Sequence, residues 1–129
     1  MSSQQTFGST LIALIFRVID PCHNSQLTLE QVQGVFYVIH RTLQRDLGDN
    51  FTEPSEETTD TIGGMLQWLN DNEGLIREHV LKEGRRLILK SIQNKWFYII
   101  WGDNRNPGIR IRGRSVRISE QEVRGLMRQ

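Results

Sequence analysis

The stretch from Arg85 to Arg117 constrains the fold of this chain more than any other. It contains three apolar runs, LILKSI, WFYIIW and IRI, separated by residues typical of turns. Short runs rich in Ile, Trp, Tyr and Phe and bounded by Asn, Gly, Asp or Pro are typical of strands. The break at 93–95 has the length of a tight hairpin, and the break at 102–108 is a longer loop rich in turn formers. We therefore predict an antiparallel sheet of three or four strands over residues 86–118.

A helical interpretation of residues 85–101 stays open, because Ile88, Ile92 and Trp96 also recur at helical spacing. Gly84 before the segment and Asn94 within it argue against a continuous helix. The aromatic and β-branched run at 96–101 also favours a pleated strand. Strands are the interpretation that we adopt.

Helical patterns occupy the remainder of the chain, and we predict helices over 9–19, 28–47, 59–70, 73–83 and 120–128. Ser9 or Thr10 is the expected cap of the first helix, and residues 49–59 are expected to form a surface loop. The second helix has the clearest pattern, because Thr28 and Gln31 fit a capping box. Its apolar stripe follows at spacings of three or four and comprises Val32, Phe36, Ile39, Leu43 and Leu47. Gly48 stands where a C-terminal cap belongs.

The predicted fold class is α+β, with an N-terminal four-helix segment followed by a three- or four-stranded antiparallel sheet and a short C-terminal helix. We divide the chain into a helical, acidic half at 1–84 and a basic sheet with its helix at 85–129, together forming one compact unit.

Charge is distributed unevenly along the chain, although the formal net charge is only +1. Residues 1–76 carry three basic and ten acidic side chains, a net of −7, whereas residues 77–129 carry thirteen basic and five acidic ones, a net of +8. Such asymmetry indicates a polyanionic partner for the basic part. Attraction between the two halves, within one copy or between copies, is the alternative.

Arginines are concentrated after the second turn, where strand alternation would place Arg110 and Arg112 on the face opposite Ile109 and Ile111. Either a one-residue bulge at Gly113 or a second hairpin would follow. Arginine presents a planar fork of donors suited to phosphate, and exposed aromatic rings can stack on unpaired bases. The predicted nucleic-acid-binding residues are Lys95, Trp96, Trp101, Arg105, Arg110, Arg112, Arg114 and Arg117.

The same arginine and aromatic residues can also be explained by a purely structural role. Charged residues can protect an edge strand from aggregation. On a regular strand Trp96 and Tyr98 share one face while Phe97 and Trp101 share the other, so helices and a dimer partner could cover both sets.

Catalytic and metal chemistry have little support in the sequence. Cys22 and the three histidines lack the spacing of metal ligands, and neither a nucleotide-binding loop nor a paired-carboxylate motif is present. We predict no enzyme activity, no cofactor and no catalytic or metal-binding residue. A single cysteine and the absence of a long apolar run or secretory signal predict an intracellular protein, cytoplasmic or nuclear, without a membrane span.

The C-terminal third resembles the single-stranded-DNA-binding domain of the positive-cofactor (p15) transcriptional coactivators. The resemblance rests on the strand WFYIIW, the insert GDNRNPG, the pair Gly113-Arg114, and Ser119-Glu120-Gln121 before a helix. It covers residues 85–129 and implies a curved sheet that dimerises around unpaired nucleic acid. By resemblance, the groove residues would be Trp96, Arg110, Arg112 and Arg114. The final helix is shorter than the family's dimerising helix, and the first 84 residues have no counterpart there.

These observations predict a non-enzymatic nucleic-acid-binding protein that prefers single strands or RNA and forms a homo-oligomer. The main alternative is a protein-interaction module whose acidic helices dock on a basic partner. A third interpretation is binding to another polyanion or an anionic membrane surface.

Overall fold

The structure, a computed structural model, describes residues 6–19, 27–82 and 118–128 with their side chains, except that Val18 and Ile19 are described by their backbone alone. It describes residues 86–92, 95–102 and 114–116 by their backbone alone. The helices, in chain order, are α1 (Phe7–Ile19), α2 (Leu29–Leu47), a 3₁₀ turn (Gly48–Asn50), α3 (Glu56–Thr59), α4 (Ile62–Asp71), α5 (Glu73–His79) and α6 (Glu120–Met127).

The predicted α+β class requires correction, because the packed body of this protein is helical. The part of the chain that is described with its side chains is 78% helical, has six helices and contains no strand or sheet. Its buried apolar side chains come from helices, together with Val80 and Leu81 just after α5. The apolar stripes of α1, α2, α4 and α5 cover one another, and α6 adds Val123 to the same core.

Backbone traces with strand geometry occur between α5 and α6. They are β1 (Arg86–Ile92), β2 (Lys95–Gly102) and β3 (Arg114–Val116), paired antiparallel in the order β2-β1-β3. The register shifts between Ile88 and Leu89. β2 runs beside α2, and β3 lies near α1. The predicted loop at 102–108, apart from Gly102 at the end of β2, falls outside the described residues, as do the predicted strand at 109–112 and the bulge at Gly113.

The two long helices form for the reasons that the sequence indicated, with one difference at the start of α1. In α2 the Thr28 hydroxyl accepts the Gln31 backbone N–H at 3.2 Å, and the Gln31 side chain accepts the Thr28 N–H at 3.0 Å, which confirms the capping box. Gly48 ends α2 with a φ of 56°, a conformation that glycine adopts without strain. In α1 the predicted cap was wrong, because the Thr6 hydroxyl accepts the Ser9 N–H.

The apolar stripe of α2 is confirmed, because Val32, Phe36, Ile39 and Leu43 are at most 1% exposed. Leu47, at the end of the stripe, is half-buried and packs on the edge of the core. The α1 side chains Leu11, Ile12, Leu14, Ile15 and Phe16 are likewise buried within one copy of the chain. The apolar surface of α1 therefore gives no support to the predicted homo-oligomer.

The region after α2 is more helical than the predicted loop at 49–59. Ser55 begins α3, since its hydroxyl accepts the Thr58 N–H. Thr61, rather than Thr59 or Asp60, caps α4 by accepting the Gly64 N–H at 2.9 Å. The helix α5 ends at His79, four residues before the predicted end. Sequence boundaries failed here because Ser55, Thr59, Asp60 and Thr61 are all good caps and only packing chooses among them.

Candidate functional site

Most predicted binding residues lie where the structure describes little or nothing. Four of them fall outside the described residues: Arg105, Arg110, Arg112 and Arg117. The other four are described by backbone alone: Lys95, Trp96 and Trp101 on β2, and Arg114 on β3. The assignment of these eight residues to nucleic-acid binding therefore stays a prediction.

The backbone register relates the four partly described positions to one another. Trp96 stands opposite Ser91, Tyr98 opposite Leu89, and Trp101 opposite Leu87. Ser91, Leu89 and Leu87 are alternate residues of β1. Because of the register shift, Trp101 therefore pairs with the same alternating set of β1 positions as Trp96 and Tyr98. The predicted split of the aromatic residues between two faces assumed a regular strand, and it stays a prediction because these positions are described by their backbone alone. Arg114 also stands opposite Leu89 and belongs to this set.

A described side-chain cluster around Arg77 joins α5, which precedes the basic segment (defined as residues 85–117), to α6, which follows it. The Arg77 guanidinium bonds Glu73 Oε2 at 3.0 Å within α5 and Glu120 Oε1 at 3.4 Å on α6. It also lies over the Phe7 ring, 4.9 Å from the ring centroid, and 3.8 Å from the Met127 sulfur. One arginine thus joins α1, α5 and α6 within the helical body.

The helical body carries an acidic surface between α2 and α4. The exposed carboxylates there are Asp49, Glu53, Glu56, Glu57 and Asp60. From residue 46 to residue 76 the sequence contains eight acidic residues and no Lys, Arg or His. The negative charge of this surface is therefore not offset by basic residues of its own segment.

An aromatic cluster on α2 and the following segment contacts His40. The imidazole stacks on Phe51 at 6.2 Å and meets the rings of Phe36 and Tyr37 at 5.4 and 4.6 Å between centroids. Burial, and then the positive charge of Arg41, lower the pKa of His40 below 6.5, while Glu53 acts in the opposite direction. Buried His40 Nδ1 has no hydrogen-bond partner among the residues described with side chains. The ring is consequently held in its neutral form as a packing element.

Metal binding finds no site in the part of the chain that the structure describes. No group of three or more His, Cys, Asp or Glu residues there is arranged to hold an ion. Cys22 and His23 lie outside that part. Among the described helices, none combines the length and apolar character needed to cross a membrane.

Neither the Arg77 cluster nor the His40 cluster was predicted from the sequence. The spacing of Glu73 and Arg77 is that of a helical ion pair, so half of the first cluster had a sequence signal. Glu120 lies 43 residues after Arg77, and no local pattern can indicate that they meet. His40 gave no signal because Phe51, on which its ring stacks, comes from another segment.

Comparisons with known proteins found no relative of this chain. No protein-family model matches it, and searches of curated proteins and of solved structures also found no match. The resemblance of residues 85–129 to the positive-cofactor domain accordingly stays a prediction.

Proposed function

We propose that this chain binds nucleic acid, preferring single strands or RNA, through its basic segment. The observation that carries the proposal is the separation of charge along the chain. The basic segment has nine Lys or Arg residues and one acidic residue, Asp103, whereas residues 46–76 have eight acidic residues and no basic one. The positive charge is therefore concentrated in a region of 33 residues.

Concentrated positive charge favours a polyanion because each neutralised phosphate releases condensed counterions. Arginine outnumbers lysine in the basic segment by seven to two, and its fork of donors matches phosphate oxygens. In this proposal Arg105, Arg110, Arg112, Arg114 and Arg117 contact phosphates. Trp96 or Trp101 stacks on an unpaired base, which accounts for the preference for single strands.

The test is fluorescence anisotropy with labelled single-stranded DNA, single-stranded RNA and duplex DNA. The variant is Arg110→Ala/Arg112→Ala/Arg117→Ala, and its matched control is Arg17→Ala/Arg45→Ala/Arg128→Ala. The control removes the same positive charge from exposed positions of α1, α2 and the end of α6. We expect binding that the variant loses and the control retains. Absence of wild-type binding at about 50 mM salt would refute the proposal.

A second candidate function, a protein-interaction module, is favoured by the exposed acidic surface described above. In that case a basic partner protein would dock on Asp49, Glu53, Glu56, Glu57 and Asp60. A Glu53→Gln/Glu56→Gln/Glu57→Gln variant would weaken capture of an arginine-rich peptide, and the arginine variant would leave it unchanged. If the acidic variant captures the peptide as well as wild type does, this second function is wrong.

A further inference from the structure

We infer that His40 forms an acid-sensitive latch: its neutral imidazole packs residues 48–53 onto α2, and protonation of the ring releases them. Residues 48–53, the latched segment, comprise the 3₁₀ turn and the three residues that follow it. The latch is independent of nucleic-acid binding, because all of its residues belong to the helical body.

The latched segment packs on the body mainly through Phe51. This side chain is half-buried and contacts the hydrophobic core. Its ring stacks on His40, with 6.2 Å between centroids and 12° between the planes, and meets the Trp68 ring of α4 at 6.3 Å. An exposed hydrogen bond from Gln44 Nε2 to Glu53 Oε1, at 3.2 Å, adds little beside it. The other residues of the segment are exposed: Gly48, Asp49, Asn50 and Thr52.

The His40 ring occupies a position that suits only its neutral form. It is 9% exposed, and its buried Nδ1 finds no hydrogen-bond partner in the described side-chain surroundings. The rings of Phe36 and Tyr37 lie 5.4 and 4.6 Å from it, between centroids. A protonated ring carries an N–H on both nitrogens, so protonation would create a buried, charged donor among aromatic side chains. Burying such a group without a partner is costly, and the cost is relieved when the ring moves out.

The charges nearest the ring determine the direction of that movement. Burial, and then Arg41 as the next residue of α2, disfavour the imidazolium, whereas Glu53 favours it. Glu53 is exposed and lies on the latched segment itself. The protonated ring is therefore drawn from the core towards the surface, and it leaves its stack with Phe51.

The other elements beside α2 also carry charged residues. Asp71, the charged residue of α4, accepts a hydrogen bond from Gln67 of the same helix. His79 of α5 lies 3.4 Å from Asp46, at the far end of α2. The backbone of β2 runs beside α2, and its charged residue is Lys95.

Fixed points on both sides allow the latched segment to open locally. Gly48 ends α2 with a φ of 56°, and a Cβ built on it meets nothing within 4 Å, so the chain can turn there. On the other side, the Ser55 hydroxyl begins α3, and Gln33 Nε2 of α2 donates to the Thr59 carbonyl oxygen at 2.8 Å. The segment can therefore open while α2 and α3 stay in place, as local unfolding units do.

Hydrogen–deuterium exchange of a peptide covering residues 48–53, at about pH 7.5 and about pH 5.5, measures this opening after correction for the pH dependence of chemical exchange. Because opening is linked to one proton, the opening equilibrium of wild type should rise by up to about tenfold at the lower pH. Peptides from α1 and α4 should keep their protection. His40→Phe retains a ring that cannot titrate and should abolish the rise. The matched control is His79→Asn, which removes another histidine and should retain the rise.

Several outcomes would overturn the latch. Equal exchange of residues 48–53 in wild type at the two pH values does so whatever the variants show. A rise shared by the whole helical body, or an equal rise in His40→Phe, shows that acid acts elsewhere. Nuclear magnetic resonance titration of the His40 ring in wild type needs no variant: its midpoint should match that of the opening, and a mismatch would also contradict the latch.

Discussion

Gly63 and Gly64 are adjacent in the first turn of α4, yet the structure assigns them opposite requirements. A Cβ built on Gly63 meets nothing within 4 Å. A Cβ built on Gly64 would lie 2.8 Å from the Thr58 carbonyl oxygen and 2.8 Å from Thr61 Oγ1. The same substitution, glycine to alanine, should therefore change stability in opposite directions at two neighbouring positions.

The magnitudes follow from helix propensity and local packing. Gly63→Ala should raise the free energy of unfolding by up to about 1 kcal/mol, because alanine loses less conformational freedom in a helix. Gly64→Ala has the same favourable effect on helix propensity, but its Cβ would displace the Thr58 carbonyl oxygen and the capping Thr61 hydroxyl. Overpacking costs about 1–3 kcal/mol, and displacing the Thr61 hydroxyl from the Gly64 N–H costs about 1 kcal/mol more. The net expectation is a loss of about 1–3 kcal/mol.

Urea unfolding followed by circular dichroism measures both values on one scale. Unchanged m-values would show that the difference arises in the folded state rather than in the unfolded chain. If both variants are stabilised by similar amounts, Gly64 is not confined by the α3–α4 connection. That result would refute the packing described for this part of the helical body.

Two further predictions concern α2. His40→Phe keeps the ring contacts with Phe36 and Phe51 but cannot titrate, so it should reduce the loss of stability on acidification. The lowered pKa means that the contribution of His40 is present above pH 6.5 and declines below it until the folded-state pKa is passed, by at most about 1.4 kcal/mol per pH unit. Equal pH dependence of unfolding in variant and wild type between about pH 7.5 and 5 would contradict this account. Thr28→Ala removes one side of the capping box and should cost about 0.5–2 kcal/mol in urea unfolding, whereas Thr52→Ala, at an exposed position, should cost almost nothing; equal losses would count against the box.

The sequence correctly predicted the features that depend only on neighbouring residues in the chain. The capping box of α2, its apolar stripe and its terminal glycine are all contained within 21 consecutive residues, so the pattern was sufficient. The borders of α3, α4 and α5 depend on which of several capping residues is used, and tertiary packing decides that. The fold class was wrong because the helical core closes on itself, a property of how the stripes meet in space rather than of any single stripe.

The candidate site, too, was predictable only where it depends on residues that are close in the sequence. A run of arginines is visible in the sequence, and so is the change of charge near residue 77. The contact between Arg77 and Glu120 was not predictable, since 43 positions separate the two residues in the chain. The register shift between Ile88 and Leu89 was not predictable, because it depends on strand pairing, which the run WFYIIW does not specify.

The measurement that tests the central claim most directly is the salt dependence of single-stranded oligonucleotide binding. The observable is the slope of log affinity against log salt between about 50 and 200 mM, for wild type and for Arg110→Ala/Arg112→Ala/Arg117→Ala. If these arginines neutralise phosphates, the variant's slope should be shallower by about two, since each phosphate contact to a single strand contributes about 0.7. A wild-type affinity that does not depend on salt, or an equal slope in the variant, would contradict the account.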